Sequence, residues 1–145
     1  MKDHRLRLAT VEIPISTIEG QMINVLLVDD QELFREIARS MFESTGDFKV
    51  VAEAVDGVDA VNAYAKHNPD FVLMDVQMSR MNGIEAARQI LQTDPAANVV
   101  LISMRNDPEY ARAASELGCK GFFAKRDLDV FAIKKLVGGS SVAAA

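Results

Sequence analysis

The stretch Ile23-Asn24-Val25-Leu26-Leu27-Val28-Asp29-Asp30 is a short apolar run that ends abruptly on two carboxylates. Near-continuous apolarity suits a parallel strand buried on both faces, whereas a half-wet strand would alternate. Behind it, Leu33, Phe34, Ile37, Ala38, Met41 and Phe42 fall at helical spacing over 31–44, and Gly46 follows as a stop. The same unit recurs. Phe48–Ala54 reads as a second strand, with a helix over Val58–Lys66 that closes ahead of Pro69. Phe71–Met74 runs into Asp75, and a helix over Ile84–Gln92 ends before Pro95. Val99–Ile102 is the fourth strand, and Pro108 suits the first turn of a helix that reaches Leu117 and stops at Gly118. Gly121–Ala124 and a helix over Leu128–Val137 complete the pattern. Strand and helix alternating five times predict a doubly wound α/β domain: a five-stranded parallel sheet flanked by five helices, joined by right-handed crossovers.

This patterned region, residues 23–137, accounts for most of a 145-residue chain, the size of one domain with its own core. Residues 1–22 carry mixed charges, Pro14 and Gly20 without a sustained period, and read as an extension, partly mobile. Residues 138–145 read as a fraying helix end, a linker stub or a cloning remnant. The net charge of −5 argues against a domain that holds nucleic acid by electrostatics alone. No apolar run approaches the ~18 residues of a membrane span, and no apolar stretch follows the N-terminal cations as in a secretory signal. Cys119 is the only cysteine, so no internal disulfide can form, which fits a reducing cytoplasm.

In sheets of this type the binding crevice lies beyond the carboxyl ends of the strands. Asp29-Asp30, Asp75, Ser103 and Lys125 all stand at such ends. Three carboxylates brought together repel one another unless a cation intervenes, and Mg2+ takes a few carboxylates together with waters and phosphate oxygens. A phosphoryl group arriving on Asp75 would meet that metal, the Lys125 ammonium and the Ser103 hydroxyl. Asp75 is then the nucleophile and an acyl phosphate the product. Plainer readings compete at each position. Asp29 and Asp30 could cap the following helix, Ser103 and Asp107 could end a strand and cap the next helix, Lys125 could be a solvated cation, and Phe122 could be core.

Taken in order, Val28-Asp29-Asp30, Met74-Asp75-Val76-Gln77-Met78, Asn82-Gly83, Leu101-Ile102-Ser103 and Ala124-Lys125 resemble the receiver domain of two-component response regulators, over roughly 23–137. The resemblance implies a flavodoxin-like (βα)5 fold and a phosphoryl group received from a histidine kinase or a phosphotransfer protein. It implies Mg2+ held by Asp30, Asp75 and the backbone carbonyl of Gln77, with Asp29 helping through water. Ser103, Lys125 and the switch aromatic Phe122 would answer the phosphoryl group and reshape the face of the fourth helix, fifth strand and fifth helix. Gln77 and Arg105 would tune the lifetime of the acyl phosphate.

Several positions depart from the family pattern. Ser79 replaces a usual Pro, Phe122 lacks the hydroxyl a switch aromatic often carries, and Arg126 replaces a frequent Pro after the lysine. Met104 and Arg126 resemble receivers of helix-turn-helix transcriptional regulators, whose output domain would be absent here or a separate protein target. A homodimer, no direct nucleic-acid contact, no membrane and a cytoplasmic setting complete the expectation. Two alternatives stand against it. An aspartyl-nucleophile phosphohydrolase of haloacid-dehalogenase type would need a second Asp where Gln77 stands, so turnover of an external substrate is not expected. A phosphorylation-independent docking or dimerising module is the other, although the acidic residues and the lysine are all present.

Overall fold

A computed structural model describes the backbone of residues 22–144 with 5–8 and 11–14, and side chains over 22–137. Strands β1 (Arg5–Leu8) and β2 (Val11–Pro14) pair antiparallel, with Leu6 opposite Ile13, where the sequence showed no period. They form a two-stranded sheet of their own.

The main sheet contains β3 (Ile23–Val28), β4 (Phe48–Ala54), β5 (Phe71–Asp75), β6 (Val99–Ser103) and β7 (Gly121–Ala124) in the order β4-β3-β5-β6-β7. Every neighbouring pair is parallel. The helices are α1 (Glu32–Glu43), α2 (Gly57–His67), α3 (Gly83–Thr93), α4 (Pro108–Leu117) and α5 (Val130–Ala144). Each expected strand and helix is present; β3, β4, β7 and α4 have the expected ends, and the ends of the others are shifted. A 3-10 turn over Lys125–Asp127 precedes α5, which starts two residues later than expected and continues through 138–144.

Side-chain alternation along the buried strands divides the core. Leu26, Val28, Val72, Met74, Val99 and Leu101 face one side, where Ala60 of α2, Ala86, Ala87 and Ile90 of α3 and Ala114 of α4 cover them. Val25, Leu27, Leu73, Val100 and Ile102 face the other, beneath Ala38 and Phe42 of α1 and Ile133 and Val137 of α5. Phe42, Phe48 and Phe71 meet there, with the Phe42 and Phe48 rings edge to face at 4.9 Å between centroids. Strand order changes sense between β3 and β5, β4 lying on one side of β3 and the later strands on the other, so the crevice opens where Asp29 and Asp75 leave the sheet.

Candidate phosphoryl and metal site

Asp29, Asp30 and Asp75 offer carboxylate oxygens that lie within 4.8 Å of one another. Asp29 and Asp75 are buried and Asp30 is exposed. The capping alternative does not describe them: Gln31 is the N-cap of α1, and Asp29 Oδ1 accepts the Gln31 N–H at 2.8 Å. Asp29 Oδ2 lies 2.6 Å from Lys125 Nζ but outside hydrogen-bonding geometry, and is a buried oxygen without a hydrogen bond. Three carboxylates gathered this closely, with one ammonium among them, fit a hard divalent cation.

Lys125 is buried too, fixed by the 3-10 turn after β7. Its ammonium lies 3.4 Å from Asp75 Oδ2, donates to Gln31 Oε1 at 3.3 Å, and sits 4.6 Å from the centre of the Phe34 ring. One cation therefore faces two buried carboxylates. Burial first, and then the Asp29 charge, raise the Asp75 pKa to about 6, while Lys125 and the Gln77 N–H pull it the other way.

Ser103 is fully buried at the end of β6, where its Oγ accepts the Arg105 N–H at 3.3 Å. Arg105 itself is exposed. The Gln77 N–H donates to Asp75 Oδ1 at 3.3 Å, and its exposed side chain reaches the Tyr110 hydroxyl at 2.9 Å. Phe122 is half-buried and meets the Tyr110 ring edge-on at 6.1 Å. The structure thus gathers Asp29, Asp30, Asp75 and Lys125 into one cluster. Phe122 lies apart from it, packed against α4.

Some partners were not evident from the sequence. Arg35 donates to the Asp29 carbonyl at 2.7 Å and to Glu53 at 2.7 Å, holding the first acidic turn against β4. Gly83 N donates to the Val76 carbonyl at 2.8 Å, and a Cβ on Gly83 would stand 2.1 Å from the Asp75 carbonyl oxygen. Tyr110, Phe34 and Arg35 lie on helix faces that periodicity marks only as amphipathic.

A five-stranded doubly wound sheet, with acids and a lysine at its reversal point, defines a receiver-type domain. The chain belongs to the response regulator receiver domain family, matched over residues 25–135. It is 34% identical over 120 residues to the transcriptional regulatory protein DegU of Brevibacillus brevis, a match covering 83% of this chain and 50% of DegU. The chain therefore spans about half the length of that relative. The NarL signal receiver domain of Mycobacterium tuberculosis superposes with a TM-score of 0.75 at 31% identity, over 85% of this chain and 98% of that one. CheY of Borrelia burgdorferi, in a complex with CheX, BeF3 and Mg2+, gives a TM-score of 0.75 at 29% identity, over 86% and 93%. The resemblance read from the motifs and the (βα)5 fold are both borne out. Among the described residues no helix is long and apolar enough to cross a membrane.

Proposed function

We propose that this receiver domain is a phosphoacceptor switch in which Asp75 takes a phosphoryl group from a histidine kinase or a phosphotransfer protein. The observation that carries this reading is the placement of Asp75: buried at the end of β5, 3.4 Å from the Lys125 ammonium and beside Asp29 and Asp30. An Asp75 carboxylate oxygen attacks phosphorus, a P–O bond forms, and the P–N bond to the donor histidine breaks. The released imidazole nitrogen keeps the bonding pair and takes a proton from solvent. Mg2+, when bound, offsets the charge of the carboxylates and of the incoming phosphoryl oxygens. Asp29, Asp30, Asp75 and the Gln77 carbonyl are the residues that would hold it. Lys125 supplies a fixed positive charge to the transferred group, and Ser103 a hydroxyl donor.

Loss of the phosphoryl group to water resets the switch, and Gln77 and Arg105 set its rate. No external substrate is turned over, because Gln77 offers no acid or base to a leaving alcohol. The changed surface is that of α4, β7 and α5, where Phe131 is exposed and Met104 stands exposed on the loop before α4, and its reader is an output domain, a separate protein or a second copy.

Intact-mass spectrometry after incubation with Mg2+ and acetyl phosphate tests the acceptor. One added phosphoryl mass is expected, absent from Asp75→Asn and from the EDTA control. No mass gain in the folded native chain would favour the phosphorylation-independent module, and a gain that persisted in Asp75→Asn would move the acceptor elsewhere.

A further inference from the structure

The loop over residues 76–82 joins β5 to α3 and carries the Gln77 carbonyl. Its two ends are held by the main chain: Val76 N donates to the Ile102 carbonyl at 2.8 Å, and Gly83 N to the Val76 carbonyl at 2.8 Å. Its tip is held differently. Arg80 has φ +65, a left-handed conformation unusual for a residue with a side chain. From there its guanidinium grips Asp56, with Nε 2.6 Å from Oδ2 and Nη2 3.2 Å from Oδ1. Nη2 also lies 3.2 Å from Asp59 Oδ1. Asp56 is a fixed anchor, since it is buried and its Oδ1 caps α2 by accepting the Asp59 N–H at 2.8 Å. Next to it, Gly57 N donates to the Met81 carbonyl at 2.9 Å, an approach so close that a Cβ there would stand 2.4 Å from that oxygen.

Three consecutive features, the grip, the strained backbone and the glycine contact, therefore pin the loop tip to the start of α2. Ser79 contributes no ring to stiffen the turn, so the restraint comes from across the loop. We propose that Arg80, acting through Asp56, is a positioning residue that holds the 76–82 loop in the conformation needed for metal binding beside Asp75. This rests on the phosphoacceptor reading above. Arg80 touches no reacting atom. Its effect is to keep the Gln77 carbonyl where Asp30 and Asp75 can share a cation with it.

The test is a Mg2+ titration of the full chain read by thermal shift, with initial phosphorylation rates from acetyl phosphate measured alongside. Arg80→Gly removes the grip and also relieves the left-handed strain, and Asp56→Asn removes the ion pair while retaining a capping oxygen. Each is expected to raise the half-saturating Mg2+ about tenfold, the lower end of what outer partners of metal sites cost. The double variant is expected to match the single ones, and Arg80→Lys to fall between. At saturating Mg2+ the phosphorylation rates are expected to come back to the native value. An unchanged half-saturation in Arg80→Gly would overturn the inference even if its melting temperature fell, since that is all a structural role would give. Additive effects in the double variant would overturn the route through Asp56. A native chain with neither a Mg2+ shift nor a phosphoryl gain would overturn the phosphoacceptor reading, and this inference with it.

Discussion

Asp75 keeps its proton to higher pH than an ordinary aspartate because burial and the neighbouring Asp29 both disfavour its charged form. The folded chain therefore binds a proton more tightly there than the unfolded chain does. Between its folded value of about 6 and the ordinary 3.8, stability must rise as pH falls. In EDTA, the native chain is expected to gain urea resistance on going from pH 7 to pH 5 relative to Asp75→Asn, whose amide cannot titrate. A constant difference between the two would mean that Asp75 titrates normally. Gly83 makes a steric argument of the same local kind. A methyl group there would collide with the Asp75 carbonyl oxygen and with Val76 Cα, both backbone atoms without a rotamer to yield. Gly83→Ala is expected to cost roughly 1–3 kcal/mol in urea melts, as overpacking does. It should also slow phosphoryl uptake, because the displaced atom belongs to Asp75, the residue proposed as acceptor.

Some helix ends are set locally and others by contacts that span elements, and this difference marks the limit of what the sequence revealed. Pro108 at the start of α4 and Gly118 at its C-cap were both legible, because their effect is local. The start of α5 was not: the Lys125–Asp127 turn is set by Lys125 turning inward to Asp29 and Asp75, contacts distant in sequence. The strand-end residues were legible as a group because a parallel sheet brings every carboxyl end to one edge. Arg80 was not, since nothing nearby in the chain explains an arginine in that turn, and its partner Asp56 lies in the preceding crossover. Tyr64 is a similar case. Its hydroxyl donates to Asp94 Oδ2 at 2.6 Å and ties α2 to the C-cap of α3, and burial together with that carboxylate raises the phenol pKa. Tyr64→Phe is expected to lose about 1 kcal/mol in chemical denaturation. The loss should vanish when Asp94 is already replaced by Ala, and a full loss in that background would place the effect in ring packing.

Across the whole domain, a chain of contacts runs from Asp75 to the far edge of the sheet. Asp75 accepts the Gln77 N–H, the Gln77 side chain meets the Tyr110 hydroxyl on α4, and the Tyr110 ring lies edge-on to Phe122 of β7. Ser103 begins a parallel route through its bond to the Arg105 N–H. A phosphoryl group on Asp75 would add charge and acceptor oxygens at the origin of the first route and would reach the second through the proposed Ser103 hydroxyl donor, whereas Phe42 and its aromatic neighbours on the opposite face meet neither. A switch built this way should move α4 and β7 and leave the packing of α1 against the sheet alone. Amide chemical shifts recorded with and without beryllofluoride and Mg2+ are expected to change at Ser103–Arg105, Tyr110 and Phe122, and to stay put around Phe42 and Phe48. Phe122 has no hydroxyl of its own, and it rests on the core of its own face of the sheet and on the Tyr110 ring. Tyr110→Phe, which removes only the bond to Gln77, is expected to shift the free chain part of the way toward the beryllofluoride-bound spectrum. If Ser103 and Phe122 kept their free-state shifts in the loaded native chain, the contacts from Gln77 to Phe122 would be packing alone.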